Sequence, residues 1–150
     1  MSVQEDNKAL VRRWFDEVLS AGNIDTLNAI CAECSPGFVV IKGVMDPAPT
    51  GMDGLRDLIR GFRAAYPDMT ATIEDQIAEG DKVATRLTIR GTHKGEVFGM
   101  PPTGKPFEVS GMSIWEVKHG LLIQEWVNWD GLGLMRQLGV LEAPKEPVTA

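Results

Sequence analysis

The sequence is poor in the side chains that most often carry metal-binding or nucleophilic chemistry, with two histidines, two cysteines and one tyrosine among its 150 residues. So few histidines nearly exclude a metal site built from several of them, and we expect no metal. Cys31 and Cys34 have C-x-x-C spacing, but no second pair follows and no histidine is near in the sequence. We therefore interpret them as two reduced thiols at a helix end. Carboxylates are left as the expected agents of any acid–base chemistry.

Excess basic charge and long apolar runs are also missing. Lys and Arg number 15 against 21 Asp and Glu, a net charge of −6, which argues against a nucleic-acid partner and against docking on anionic lipid. No stretch approaches the roughly 18 consecutive apolar residues of a membrane span, and the polar start of the chain does not match a secretory signal. We expect a cytoplasmic protein with no membrane partner.

The length predicts one domain, which we place at 1–143, followed by a flexible tail at 144–150. Apolar residues recur at helical spacing over 4–21, 24–32 and 52–66, and again in a short turn after residue 130. Residues 38–41, 69–78, 82–93, 107–118 and 121–129 have the composition of strands. Gly80-Asp81 and His119-Gly120 are typical of tight hairpin turns.

This order of elements indicates an α+β fold. Helices come first and four consecutive strands follow, which favours a curved antiparallel sheet of four to six strands. About three helices packed on its concave face would enclose a pocket, the default position for a small-molecule site. The last strand is apolar on both faces near its centre, so we also predict that the outer face pairs with a second copy, giving a homodimer or higher homo-oligomer.

Strand alternation divides the last strand into two faces, and we predict that Trp126, Asn128 and Asp130 face the pocket while Glu125, Val127 and Trp129 face away. A carboxylate beside an indole in an apolar cavity loses hydration, which raises its pKa and suits it to proton transfer. Asp130 also has a structural alternative. It precedes Gly131 and a short apolar helix, where an aspartate commonly acts as the N-cap.

Other candidates come from neighbouring segments, and most have a structural alternative. Ile114 and Glu116 would share the pocket face of the preceding strand, although Glu116 also fits a solvated position near a turn. Arg86 is expected to pair with a carboxylate. His93 suits either a catalytic or substrate-orienting role or a structural bond to loop backbone. Two apolar residues would shape the cavity, Phe62 and Met100.

Several short motifs together resemble the SnoaL-like polyketide cyclases, within the superfamily of the ketosteroid isomerases and nuclear transport factor 2. The resemblance spans about residues 14–140. It rests on Tyr66-Pro67-Asp68, Ala78-Glu-Gly-Asp-Lys-Val83 with Arg86, Gly91-Thr-His-Lys-Gly95, Gly99-Met-Pro-Pro-Thr-Gly104, Glu125-Trp126 with Asp130, and Gln137-Leu-Gly139.

The resemblance implies an α+β cone and an intramolecular aldol condensation that closes the ring of a hydrophobic polyketide ester without metal or cofactor. The acid–base residue of the studied cyclases is an aspartate at the end of the last strand, which matches Asp130. Polar residues on the preceding strand help to hold the substrate in those enzymes. Here the matching positions are Ile114, which cannot form hydrogen bonds, and Glu116.

Three hypotheses follow. In the first, Asp130 removes a proton alpha to a carbonyl and later protonates the alkoxide, His93 and Asn128 orient oxygens, and apolar residues shape the cavity. In the second, the same pocket catalyses a different reaction, double-bond isomerisation or epoxide hydrolysis. The third is a small-molecule binding domain without catalysis, since a fold does not determine a function.

Overall fold

The computed structural model describes residues 2–32, 40–42 and 48–142. The chain begins with helix α1 and a π-helical segment, and a short 3₁₀ turn leads into α2. A first strand and α3 precede four consecutive strands and a last helix. The bounds are α1 Val3–Arg13, the π-helical segment Trp14–Ser20, the 3₁₀ turn Ile24–Thr26, α2 Leu27–Ile30, β1 Val40–Lys42, α3 Gly51–Ala65, β2 Thr70–Glu79, β3 Lys82–Thr92, β4 Pro106–Lys118, β5 Leu121–Trp129 and α4 Gly131–Gln137.

The helices follow the apolar spacing of the sequence. The Ser2 hydroxyl caps α1 by accepting from the Glu5 N–H at 3.2 Å, which satisfies one of the free donors at the helix start. The helix predicted over 4–21 is confirmed, but its second half is a π-helical segment, a rare and wider helix that is frequent at functional sites. Helix α3 buries Leu55, Ile59 and Phe62 on one side, as the sequence predicts.

A five-stranded curved sheet carries the fold, in the order β1-β5-β4-β3-β2. Strands β2 to β5 are antiparallel neighbours, as predicted, and their hairpins turn at Gly80 and at His119-Gly120, all with positive φ. Strand β1 differs from the prediction, because it pairs with β5 in parallel. A parallel neighbour needs a crossover, which only the three-dimensional path of the chain decides.

The hydrophobic core lies between the helices and one face of the sheet. Strand β4 shows this most clearly, since its buried and exposed residues alternate from Phe107 to Val117. The α+β class and the helix-covered curved sheet are therefore as predicted. No helix in the described residues is long and apolar enough to cross a membrane. The predicted tail at 144–150 lies outside the described residues.

Candidate functional site

An apolar cavity lies between the π-helical segment, α3 and the inner face of the sheet. Its volume is about 50 Å³. Thirteen of the described residues form its wall, of which twelve are apolar and the remaining one is Glu125. The wall consists of Trp14, Phe15, Leu19, Leu58, Ile59, Phe62, Met69, Ala71, Leu87, Ile89, Glu125, Val127 and Trp129.

Among the described residues of this wall, Glu125 is the one ionisable group, and it is 3% exposed. Its Oε2 accepts a hydrogen bond from the Ser113 hydroxyl at 2.7 Å. Burial raises the pKa of Glu125 to about 8, because the ionised form is poorly solvated there. The Ser113 hydroxyl and the Trp115 indole N–H oppose that rise. Trp115 lies directly opposite Glu125 in register, although its Nε1 forms no hydrogen bond of good geometry within the described residues.

A β-bulge explains why Glu125 faces the cavity. Pairing of β4 with β5 moves from Val117–Leu122 to Glu116–Gln124, so Ile123 is an extra residue in β5. A single extra residue reverses the phase of the alternation. Leu122 is therefore buried before the bulge, whereas Glu125 and Val127 are buried after it.

The predicted orientation of β4 and β5 toward the pocket is therefore wrong. Trp126 and Asn128 lie on the outer face of the sheet, directly opposite Ile114 and Met112 in register. Ile114 is 40% exposed, and Glu116 accepts a hydrogen bond from Gln124 at 2.7 Å on the same outer face. None of the four predicted substrate-binding residues of this face, Trp126, Asn128, Ile114 and Glu116, lines the cavity.

Asp130 occupies the N-cap of α4. Its Oδ1 accepts the Gly133 N–H at 2.8 Å, and the residue is exposed. This is the structural alternative that the sequence left open for it. Asp130 does not contribute to the cavity wall. A catalytic role for Asp130 stays a prediction that its position does not favour.

His93 is fully buried at the end of β3 and holds the following loop. Its Nδ1 accepts the backbone N–H of Thr103 at 3.2 Å and lies 3.1 Å from the Thr103 hydroxyl. A neutral ring that accepts at Nδ1 has its proton at Nε2, which has no partner among the described residues. These contacts match the structural alternative, and His93 does not line the cavity.

The remaining candidates divide between cavity and surface. Phe62 lines the cavity as predicted and packs edge-on against Trp129, with ring centroids 5.5 Å apart. Met100 packs half-buried against the core and is not part of the cavity wall. Arg86 is exposed on the outer face of the sheet. The prediction that it pairs with a carboxylate is wrong, because no carboxylate within the described residues forms an ion pair with it.

The thiol of Cys31 lies at the end of α2, close to the buried carboxyl. Burial and, to a lesser degree, the charge of Glu125 raise the pKa of Cys31 to about 12, so the thiol stays protonated. Its backbone bridges to Leu122 of β5. Cys31 is thus an unreactive packing residue, whereas Cys34 lies outside the described residues.

Glu125 is the residue that the sequence analysis missed. The sequence indicates only which face of β4 is buried: Val109, Trp115 and Val117 form its more apolar face, and the β5 residues opposite that face share its burial. Without the bulge, that register would have placed Gln124 in the cavity. The sequence carries no visible mark of the extra residue at Ile123.

Comparisons with known proteins agree with this architecture. The family model for SnoaL-like polyketide cyclases matches residues 9–138. The nogalonic acid methyl ester cyclase of Streptomyces nogalater is 32% identical over 92 residues, which cover 60% of this chain and 68% of that protein.

Two solved structures show the same fold. TsrD from Streptomyces laurentii has a TM-score of 0.81 at 27% identity, covering 94% of this chain and all of that chain (100%). IdmH from Streptomyces antibioticus has a TM-score of 0.73 at 31% identity, covering 89% of this chain and 98% of that one. The family match spans most of the chain, and the helix-covered curved sheet agrees with it. The chain therefore belongs to the SnoaL-like polyketide cyclase family.

Proposed function

We propose that this protein closes a ring in a hydrophobic carbonyl substrate by an intramolecular aldol reaction, with Glu125 as the acid–base group and without a cofactor. The observation that carries the proposal is a single carboxyl with a pKa near 8 in an otherwise apolar cavity. Perturbed groups of this kind in clefts are typical of acid–base sites. Family membership supplies the reaction class.

The proposed reaction needs one group that first accepts and then returns a proton. Ionised Glu125 takes a proton from the carbon alpha to a carbonyl, and the enolate carbon forms a bond to a second carbonyl carbon of the same molecule. The new alkoxide oxygen then receives the proton from Glu125. One carbon–carbon bond forms, one proton moves from carbon to oxygen, and the carboxylate is regenerated.

The pKa of Glu125 suits both halves of this cycle. With a pKa of about 8, roughly one molecule in ten carries the ionised carboxylate at pH 7. Such a carboxylate is a stronger base than a solvated one, and its conjugate acid still protonates an alkoxide readily. The apolar walls keep water from quenching the enolate and favour a neutral, hydrophobic substrate.

Space for a large substrate extends past Phe62. Leu58 and Phe62 also line a neighbouring groove formed with the loop after β3, whose open volume is about 200 Å³. Typical ligand sites measure about 300–1,000 Å³, so the cavity alone is too small for a polycyclic ligand. We propose that such a substrate displaces Phe62 and occupies both spaces.

The test compares Glu125→Gln with Asp130→Asn, using nogalonic acid methyl ester as the first substrate because a relative is named for it. Glutamine keeps the size of Glu125 but cannot exchange a proton, so we expect kcat to fall by about 10²–10⁴-fold. Asparagine keeps a cap acceptor at residue 130, so Asp130→Asn should change kcat little. Product formation and thermal unfolding are measured for both variants.

The outcomes separate the hypotheses. Full turnover in Glu125→Gln, with loss in Asp130→Asn, would return the acid–base role to Asp130. Binding without turnover by the native protein would favour a non-catalytic binding domain. Turnover of an epoxide or a β,γ-unsaturated ketone in place of the ester would favour a hydrolase or an isomerase with the same site.

A further inference from the structure

We infer that Ser113 is a positioning residue for Glu125: its hydroxyl holds Oε2, so that the exchangeable proton resides on Oε1 at the cavity. This inference deepens the proposed function and rests on it. No part of the proposed proton transfer requires Ser113 to touch the substrate, and Ser113 does not line the cavity.

The geometry places this hydroxyl against the carboxyl from the adjacent strand. Ser113 is 2% exposed and pairs in register with Val127, two residues along β5 from Glu125. The two side chains are therefore diagonal neighbours on the inner face of the sheet. The bond from Ser113 Oγ to Glu125 Oε2 measures 2.7 Å and is buried at both ends. A buried bond of this length fixes the rotamer of the carboxyl.

The position of the proton follows from the direction of this bond. A hydroxyl can donate to Oε2 of the carboxylate and, more weakly, to Oε2 of a carboxyl protonated at Oε1. It cannot donate in the same way to an Oε2 that itself carries the proton. No other hydrogen bond within the described residues engages Oε1 of Glu125. Ser113 thus biases the proton toward the oxygen that remains available to a substrate.

Few other polar groups of the described residues lie near the Glu125 carboxyl. From the end of α2, Cys31 faces it as an uncharged thiol. From β4, Trp115 lies directly opposite Glu125, and its indole N–H forms no hydrogen bond of good geometry within the described residues. The π-helical segment, α3, β2 and β3 contribute only apolar side chains to the cavity wall, so no charged group there faces Glu125 among the described residues.

The experiment titrates Glu125 directly in protein labelled with ¹³C at the glutamate carboxyl, without substrate. The Glu125 signal is the one that Glu125→Gln lacks. A hydrogen bond to a charged group contributes about 1.5–3 kcal/mol, so Ser113→Ala should lower the acid dissociation constant of Glu125 by about ten- to a hundredfold. Ser113→Thr retains the hydroxyl and should leave that constant close to the native value.

The second measurement is the turnover of the Ser113 variants. We expect kcat of Ser113→Ala to fall by about tenfold or more with little change in KM, and Ser113→Thr to restore it. Where Ser113→Ala does not fold, Ser113→Cys keeps the volume with a weaker donor and should shift the titration in the same direction by less.

An unchanged Glu125 titration in Ser113→Ala would overturn the inference, as would equal shifts in the alanine and threonine variants. A failure of the proposed function gives a different set of results from a failure of this inference. In that case Glu125→Gln retains turnover, while the titration of Glu125 still responds to Ser113→Ala.

Discussion

At the scale of single residues, the decisive feature is one buried carboxyl that has no opposite charge beside it in the part of the chain that the structure describes. An isolated buried carboxylate is costly, and the protein reduces this cost by keeping Glu125 protonated at neutral pH, with one hydroxyl as its partner. An apolar residue of similar size would pack here more favourably. The retained carboxyl therefore points to a function in proton transfer, at the expense of stability.

The raised pKa of Glu125 predicts how stability depends on pH. Between its unfolded value near 4.5 and its folded value of about 8, the folded state binds more protons, so the contribution of Glu125 to stability falls as pH rises through this window. We expect native protein to lose stability from pH 5 to pH 8 relative to Glu125→Gln, by on the order of a few kcal/mol. Urea unfolding of both proteins at the two pH values measures this.

The change in stability between pH 5 and pH 8 is compared between the two proteins, because the contributions of the ionisable groups that they share then cancel. Parallel stability curves for the native protein and Glu125→Gln would mean that the Glu125 carboxyl is hydrated in solution. That result would also remove the reason for assigning proton transfer to it.

At the scale of elements, a β-bulge and a helix cap determine where the two carboxyls of this region lie. The bulge at Ile123 directs Glu125 inward, and the cap at Asp130 ends β5 and starts α4. The cap requires Gly133, because a Cβ at this residue would overlap Asp130 Oδ2. Asp130 and Gly133 therefore form the N-terminal cap of α4 together: one supplies the acceptor, and the other supplies the N–H and the space for the carboxylate.

The cap predicts a specific stability change. Asp130→Ala removes the acceptor for the Gly133 N–H and should lower the free energy of unfolding by about 0.5–2 kcal/mol. Asp130→Asn retains an acceptor and should cost less. Chemical denaturation measures both, and an alanine variant as stable as the native protein would show that the cap is not what Asp130 provides.

At the scale of the whole molecule, the outer face of the sheet carries an apolar row. Ile77, Ala84, Ile114 and Trp126 pair in register across β2 to β5, and Ile77 and Ile114 are 66% and 40% exposed. Exposed Met112 lies beside this row. Contiguous apolar surface of this kind is typical of an interface, and we propose that a second copy covers it in a homodimer.

The proposed dimer has a direct test. Met112→Asp places a charge on the outer face without touching the cavity, and we expect it to shift the mass in solution from dimer to monomer. Val3→Asp is the control, because Val3 has a similar exposure (66% against 63% for Met112) but lies on α1. Light scattering over a range of concentrations measures the mass, and a native protein that is monomeric throughout would contradict the proposal.

The sequence by itself determined the fold class and most of the element bounds. Helical spacing identifies α1 and α3, strand composition identifies β2 to β5, and Gly80 and His119-Gly120 locate the hairpins. These signals are local, since they depend on which residues a helix or a turn tolerates. The apolar cavity against the sheet also follows from the order of elements, and the apolar spacing of α3 predicts Phe62 in its wall.

Only the tertiary structure decided which carboxyl enters that cavity. Glu125 lies in β5 and Asp130 directly follows that strand, five residues later. Alternation alone favoured the wrong face because both faces of β5 are apolar near the centre. The deciding residue is Ile123, whose extra position relative to β4 reverses the phase of every side chain after it. Register is a property of two paired strands, so no pattern within β5 alone could have revealed it.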